Sequence, residues 1–125
     1  MDLKLKIYLT ENDEKFMGIG VLWLLEKMQE CSSLRQAAKD MELSYSKAYA
    51  MIENLERSLG VKVVHRHKGG DSRDGASLTT FGQKLILLYR SFADDIKDDA
   101  QKRFEPFKQD LQALIACEGE TDGQA

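Results

Sequence analysis

The fold is decided by residues 32–82, which read SSLRQAAKDMELSYSKAYAMIENLERSLGVKVVHRHKGGDSRDGASLTTFG. Two short helical patterns come first, separated by a tight turn. Two short strand patterns follow, on either side of a basic, glycine-rich segment. This order and spacing predict a winged helix-turn-helix, a unit that places one helix in the DNA major groove and a loop along the DNA backbone.

The two helices carry clear start and stop signals. Ser33 precedes the first helix with Gln36 three residues later, which is a capping-box pattern, and Ser44 is placed to cap the second helix. Gly60 follows the second helix as its C-terminal cap. Apolar residues at helical spacing predict the buried faces, namely Leu34, Ala37, Ala38 and Met41 in the first helix and Ala48, Ile52, Leu55 and Leu59 in the second.

The wing and a long helix are predicted after this pair. Branched residues in 61–66 predict one strand, and residues 76–78 predict the returning strand. Thr79 is expected to cap a helix that is apolar over more than one face, which indicates a dimer contact. Pro106 is expected to break or kink that helix before a short final one.

A strand and a helix are predicted before the pair. Apolar and polar residues alternate from Leu3 to Leu9, the pattern of a half-buried strand. Asn12 or Asp13 is expected to cap the helix that follows. Its predicted apolar positions are Phe16, Ile19, Leu22, Trp23 and Met28.

Charge is distributed unevenly along the chain, whose formal net charge is -3. Residues 44–73 carry six basic and three acidic side chains, whereas residues 94–122 carry nine acidic and four basic ones. The local field acts on a phosphate backbone, so a basic middle segment on an acidic chain remains compatible with DNA.

Other functional classes find little support in the sequence. No apolar run approaches the roughly 18 residues that a membrane span needs. Cys31 and Cys117 lie far apart and suit unpaired thiols in a reducing cytoplasm. No constellation of nucleophile, base and acid is visible. We therefore expect a cytoplasmic protein that is not an enzyme, needs no cofactor, and contacts no membrane.

DNA contacts are predicted on the second helix, at the helix caps and on the wing. A small Ala50 suits contact with a thymine methyl group, and Asn54 suits pairing with adenine. For Tyr45 and Tyr49, packing along the helix flank is the alternative. The predicted contact residues are Ser33, Ser44, Tyr45, Ser46, Lys47, Tyr49, Ala50, Asn54, Arg57, Arg66, Lys68, Gly69, Gly70, Arg73 and Thr79.

A metal site is considered at His65 and His67, whose imidazoles would share one side of a strand. No third ligand is predictable nearby, so solvated wing residues beside phosphate are the better interpretation and no metal is predicted. The acidic residues of 94–99 are likewise interpreted as a solvated helix face rather than a cation site.

The chain resembles the N-terminal DNA-binding domain of ModE-type molybdate-responsive transcription regulators, a relative of the LysR-type winged helix. Residues 44–52, SYSKAYAMI, look like the recognition helix of that family. Residues 69–76 and then 78–89, LTTFGQKLILLY, look like its wing and following helix. The pattern LExxLGxxVVxR of residues 55–66 is shared with LysR-type proteins. The resemblance spans roughly Leu3 to Phe92 and implies a homodimer on a pseudo-palindromic site.

Two departures from that family limit what the resemblance implies. Glu42 stands where the turn between the two helices commonly has glycine. The oxyanion-binding domains that follow in the family are not present before Ala125, so no small-molecule effector is expected within this chain.

The expected fold class is mainly α with a small β wing, a winged helix-turn-helix with a long C-terminal dimerisation helix. The expected domains are a DNA-binding domain in 1–92, a helical dimerisation extension in 93–117 and a disordered acidic tail in 118–125. The expected function is a homodimeric, sequence-specific transcription regulator linked to molybdate transport or metabolism. A protein-interaction adaptor is the alternative, and a small molybdate- or metal-binding protein is a weaker one.

Overall fold

A computed structural model describes residues 1–66 and 75–124 of the chain, with side chains through Gly119. The predicted fold class, mainly α with a small β wing and a long C-terminal helix, is confirmed. The elements in chain order are β1 (Leu9–Glu11), β2 (Glu14–Met17), α1 (Ile19–Cys31), α2 (Leu34–Asp40), α3 (Tyr45–Leu59), β3 (Val64–Arg66), β4 (Ala76–Leu78) and α4 (Thr80–Gln124).

The chain forms two compact units. One comprises Lys6–Ser91, and the other comprises Met1–Leu5 together with Phe92–Ala125. The core of the first unit is built on one face of each helix, because burying these apolar faces is the main favourable term in folding. Its fully buried side chains include Met17, Leu24, Leu25, Met28, Leu34, Ile52, Leu55, Val63 and Ile86.

The N-terminal region differs from the prediction, because residues 9–17 form a β-hairpin. β1 and β2 are antiparallel, with Glu11 opposite Glu14. Asn12 and Asp13 between them have φ values of 52° and 66°. Two consecutive left-handed residues make the turn that suits the twist of a hairpin, and Asn and Asp tolerate this conformation.

Three predictions about this region are therefore wrong. The first strand is Leu9–Glu11 rather than a strand from Leu3 to Leu9, because only these residues find a partner in β2. The first helix begins at Ile19 after Gly18, so neither Asn12 nor Asp13 caps it. Phe16 lies in β2, and Trp23 is 55% exposed rather than buried.

The helix-turn-helix itself agrees closely with the prediction. The Ser33 and Ser44 hydroxyls each accept a hydrogen bond from the backbone N–H three residues later, both at 3.1 Å. Gly60 ends α3 with a φ of 71°, a left-handed conformation that costs glycine little. Of the predicted buried faces, Met41 and Leu59 are half-buried and the other positions are buried.

The turn between α2 and α3 adopts a conformation that most side chains avoid. Glu42 has a φ of 58°. Its left-handed backbone costs a non-glycine residue about 1–2 kcal/mol. The turn is held by the Leu43 N–H, which donates to the Ala38 carbonyl at 2.8 Å. Glu42 therefore adopts the left-handed conformation that glycine would adopt more easily, and the turn accepts the energetic cost.

The wing strands are tied to the helices by several hydrogen bonds. β3 and β4 pair antiparallel, with Val64 opposite Leu78. The Ala76 N–H donates to the Ser32 carbonyl at 3.0 Å, which joins β4 to the loop before α2. The Glu56 carboxylate accepts from the Val63 N–H at 2.8 Å and so fixes the entry to β3. The base of the wing is thus fixed on α3 and on the loop that precedes α2.

The long helix α4 continues through Pro106, so the predicted break into two helices is wrong. Proline lacks an N–H and removes one backbone hydrogen bond, at a cost of about 3 kcal/mol within a helix. The flanking residues of 101–115 are mostly good helix formers, which favours continuation on both sides. The predicted domain bounds at 92 and 117 and the predicted disorder of 118–125 stay predictions.

Tyr89 links the first turns of α4 to the N-terminal segment through its buried hydroxyl group. Its hydroxyl donates to the Ile7 carbonyl at 2.8 Å, and the side chain is buried. Burial raises the pKa of the Tyr89 phenol above its ordinary value near 10, and the nearby Tyr8 raises it further.

We expect the stability conferred by Tyr89 to be lost at alkaline pH. The phenol keeps its proton longer in the folded state than in the unfolded state, so the free energy of unfolding falls as pH rises above about 10. Tyr89→Phe should lower the free energy of unfolding by about 1 kcal/mol at pH 7, because the hydrogen bond is lost. Above pH 10, the free energy of unfolding of this variant should fall less steeply than that of the wild type. Urea unfolding between pH 7 and 11 measures both. Parallel curves for the two proteins would exclude Tyr89 as the titrating group.

Candidate nucleic-acid interface

The outer face of α3 is exposed along its whole length. Ala48, Ile52 and Leu55 are buried in the core and fix the rotation of the helix. The opposite side is consequently turned to solvent. Its exposed side chains are Ser46, Lys47, Ala50, Glu53 and Arg57. The structure therefore brings five of the polar or small residues of the predicted recognition helix onto one accessible surface.

Two tyrosines border this surface, and the ring of each is in contact with an arginine side chain. Tyr45 and Tyr49 lie one turn apart on α3, with ring centroids 6.1 Å apart. The Arg35 guanidinium carbon lies 4.6 Å from the Tyr45 centroid, and that of Arg66 lies 4.2 Å from the Tyr49 centroid. Both distances fall within the range of cation–π contacts. We call these four residues the arginine–tyrosine row.

The arginine–tyrosine row joins three elements, since Arg35 lies on α2, the tyrosines on α3 and Arg66 on β3. Arg35 was missed in the sequence, because a contact between residues 35 and 45 depends on how α2 packs on α3. Both tyrosines are half-buried, so each ring packs partly on the flank of α3 and remains partly accessible to solvent.

The wing residues are only partly described. Arg66 and His65 are exposed at the end of β3. The predicted contacts Lys68, Gly69, Gly70 and Arg73, and the second histidine His67, lie outside the described residues. In the parts of the chain that are described, 1–66 and 75–119, no group of three histidine, cysteine or acidic side chains is arranged to hold a metal ion.

The predicted contacts at helix starts have capping roles. Ser33 and Ser44 accept hydrogen bonds in the first turns of α2 and α3, as described above. The Thr79 hydroxyl donates to the Lys62 carbonyl and accepts from the Gly82 N–H, both at 2.9 Å, and Thr79 is 8% exposed. Contact of these three residues with DNA stays a prediction.

A basic cavity lies beside α3. Its volume is about 320 Å³, and no acidic side chain lines it. Lys6, Lys15 and Lys47 contribute its cationic groups. Asn54 also lines it, and its side-chain N–H donates to the Lys15 carbonyl at 3.0 Å, which fixes the amide against β2. Pairing of Asn54 with a base stays a prediction.

Lys6 and Lys15 extend the basic surface beyond the predicted residues. Both are exposed, and the Lys15 ammonium lies 4.4 Å from the centroid of the Tyr8 ring. The alternation of lysine with apolar residues before β1 is the only sequence signal that pointed to this segment. The strand β2, which carries Lys15, was predicted as the start of a helix, so its approach to α3 was not foreseen.

Curated proteins similar to this chain include transcriptional regulators named ModE. The transcriptional regulator ModE of Haemophilus influenzae is 35% identical over 66 residues, which are 53% of this chain and 26% of that protein. The DNA-binding transcriptional dual regulator ModE of Escherichia coli (strain K12) is 34% identical over 98 residues, 75% of this chain and 36% of that protein. The chain thus spans about a quarter to a third of the length of these relatives.

A solved structure supports the fold. The crystal structure of the CbnR DNA-binding domain in complex with DNA matches with a TM-score of 0.55 and 21% sequence identity, covering 69% of this chain and 93% of that one. The family of bacterial regulatory helix-turn-helix proteins of the lysR type matches residues 21–83, from α1 through the wing into α4. The resemblance drawn from the recognition helix and the wing is confirmed, and this chain belongs to the lysR family of bacterial regulatory helix-turn-helix proteins.

Proposed function

We propose that this protein is a sequence-specific regulator of transcription that binds double-stranded DNA through α3 and the wing. The observation that carries the proposal is the exposed face of α3, bordered by two arginines that lie over its tyrosine rings. A helix of this kind reads base edges, while flanking cations fix its register on phosphates. Membership of the lysR family of regulatory proteins and the similarity to ModE proteins support the same function.

We propose that the regulator acts as a homodimer on a pseudo-palindromic operator. Support comes from α4, which leaves large apolar side chains exposed along its length. These are Phe81, Leu87, Leu88, Phe92, Ile96, Phe107, Leu114 and Ile115. A second copy of the chain would cover such residues. Two recognition helices would then address half-sites about one DNA turn apart.

The proposal extends to a link with molybdate transport or metabolism. It rests on the names of the relatives, which include the molybdenum transport protein ModE of Azotobacter vinelandii. We place the protein in the cytoplasm, together with the DNA that it would bind. We propose that it has no catalytic activity of its own and that residues 1–125 bind no small-molecule effector. No helix of the described residues is long and apolar enough to cross a membrane.

A protein-interaction adaptor is the second candidate. The observation that favours it is a groove of about 420 Å³ between α1 and the turn after α2. Exposed Trp23 lies in this groove with Asp40 and Glu42, and with Glu26 and Glu30, which are paired with Arg90 and Lys27. An exposed indole with acidic neighbours suits a basic protein segment. In an adaptor, however, substitutions on the outer face of α3 would leave function unchanged.

A binding assay on the DNA upstream of its own gene tests the proposed function. We expect binding in which the logarithm of the association constant falls linearly with the logarithm of salt concentration. Arg66→Ala combined with Lys68→Ala should weaken it on all sequences. Light scattering of the protein alone and with DNA gives the stoichiometry. Equal affinity for all DNA sequences, with no loss in the double variant, would contradict the proposal.

Lys47→Ala should separate base contact from phosphate contact. Lys47 is exposed in the first turn of α3, where a recognition helix meets base edges. We expect about a tenfold loss of affinity for the operator, because one base contact carries about 1–3 kcal/mol, and a smaller loss for unrelated DNA. Competition titrations with the two duplexes measure the ratio. Equal losses on both would assign Lys47 to the phosphate backbone.

A further inference from the structure

The arginine–tyrosine row is a chain of contacts between two charged groups and two aromatic rings at the start of α3. Its order is Arg35, Tyr45, Tyr49, Arg66, with separations of 4.6 Å, 6.1 Å and 4.2 Å between successive groups. Both arginines are exposed and both tyrosines are half-buried. The rings are thus partly held by packing on α3, while the guanidinium groups remain accessible to solvent.

We infer that Tyr45 and Tyr49 are positioning residues, which hold Arg35 and Arg66 so that both guanidinium groups bind backbone phosphates of DNA. The inference rests on the proposed function and adds Arg35 to the binding surface. It also gives the two tyrosines a role other than contact with bases.

The chemistry of guanidinium explains how stacking and phosphate binding combine. The group is planar, so stacking on a ring uses its face, whereas its N–H donors point outward in the plane. These donors form a fork that matches two phosphate oxygens. A lysine ammonium has no such plane and would lose this geometry. The row therefore suits arginine at both of its ends.

The ring contact favours DNA binding because it restrains the arginine side chain before the phosphate is bound. An arginine on a surface loses much rotamer freedom when it is fixed on a ligand, and a ring that already restrains it reduces that loss. The described part of the chain also offers Arg66 no ion-pair partner. Within residues 1–66 and 75–119, no carboxylate lies within ion-pair distance of it.

The two ends of the row lie on different elements, so the inference also indicates which phosphates the arginines would contact. Arg35 is in the first turn of α2, just after the Ser33 cap, and Arg66 is the last residue of β3. Tyr45 and Tyr49 connect them across the first turns of α3. Phosphates contacted by the two arginines would therefore flank the N-terminal part of the recognition helix.

Substitutions at Tyr49 test the inference with a fluorescein-labelled, mixed-sequence duplex of about 30 base pairs as the probe. Tyr49→Leu should weaken binding about fivefold by removing the ring under Arg66, whereas Tyr49→Phe, which keeps the ring, should stay within about twofold of the wild type. The double variant Tyr49→Leu with Arg66→Ala should bind no more weakly than Arg66→Ala alone. Thermal unfolding of each variant checks that the fold is retained.

The salt dependence gives a second readout that a purely structural role would not change. Arg66→Ala should reduce the slope of log affinity against log salt by about 0.9, the value for one phosphate contact. Tyr49→Leu retains the charge of Arg66 and should reduce the slope less. At the other end, Tyr45→Leu and Arg35→Ala should behave in the same way. Lys39→Ala on α2 removes the same charge without a ring contact and should have a smaller effect than Arg35→Ala.

The outcomes separate this inference from the proposed function. If the wild type fails to bind the duplex at low salt, both are overturned. If it binds but Tyr49→Phe loses as much affinity as Tyr49→Leu, the phenol hydroxyl contacts DNA directly and the positioning role is wrong. Additive losses in the double variant, or equal effects of Lys39→Ala and Arg35→Ala, also overturn it. The Tyr45 series decides the matter if Tyr49→Leu does not fold.

Discussion

Gly82→Ala should lower the free energy of unfolding by about 3 kcal/mol, the upper part of the range for forced overpacking. A β-carbon at this position would lie 2.5 Å from the Val63 carbonyl oxygen. That oxygen cannot retreat easily, because it accepts the Thr79 N–H at 2.9 Å. The first turn of α4 and the start of β3 would be pushed apart. Chemical denaturation followed by circular dichroism measures the loss.

Gly20→Ala is the matched control for Gly82→Ala. Gly20 also lies in the first turn of a helix, but its added β-carbon would meet only the Met51 methyl group at 3.9 Å, an ordinary contact. Alanine is the better helix former, so this variant should be more stable by up to about 1 kcal/mol. Equal responses of the two variants would show that helix propensity, and not close packing on Val63, governs Gly82.

The success and failure of sequence-based prediction in this chain follow the range of the interactions. The caps at Ser33, Ser44, Gly60 and Thr79 were foreseen because each depends on partners within four residues. The buried faces of α2 and α3 were foreseen for the same reason, since period and amphipathicity are local. These features suffice to define the helix-turn-helix, and the family match then covers the same segment.

The N-terminal hairpin was missed because its turn residues have two uses. Asn12 and Asp13 are preferred both as helix caps and as left-handed turn residues, and the sequence does not choose between them. The choice is made by β1, which pairs with β2 and not with the segment before Leu9. The exposure of Trp23 likewise depends on packing between elements and not on the pattern within α1.

The candidate site was foreseen along α3 but not across it. Lys47 and Ala50 lie on the exposed face, as a helical period predicts. The contacts of Arg35 with Tyr45 and of Arg66 with Tyr49 join residues 10 and 17 positions apart, so they appear only once α2 and β3 pack on α3. The division of roles on this surface is therefore a tertiary property. A substitution at the centre of this surface tests whether α3 contacts DNA.

Ala50→Glu should reduce DNA affinity by about a hundredfold or more while leaving the fold intact. Ala50 is exposed in the middle of the outer face of α3. A carboxylate there would face the phosphates and base edges of the major groove, and like charges brought together across an interface cost several kcal/mol. Glutamate is a good helix former, so stability should change by less than about 0.5 kcal/mol. Anisotropy titration and thermal unfolding measure the two quantities.

The same substitution elsewhere separates a local effect from net charge. Ala113→Glu adds an identical charge at an exposed position of α4, within the acidic half of the sequence. It should change affinity by less than about threefold, because Ala113 is not among the predicted contact residues and salt screens an exposed charge that makes no contact with DNA. If Ala50→Glu and Ala113→Glu weaken DNA binding equally, only the total charge matters. If neither does, α3 does not enter DNA, and the acidic groove at Trp23 becomes the surface on which this winged helix acts.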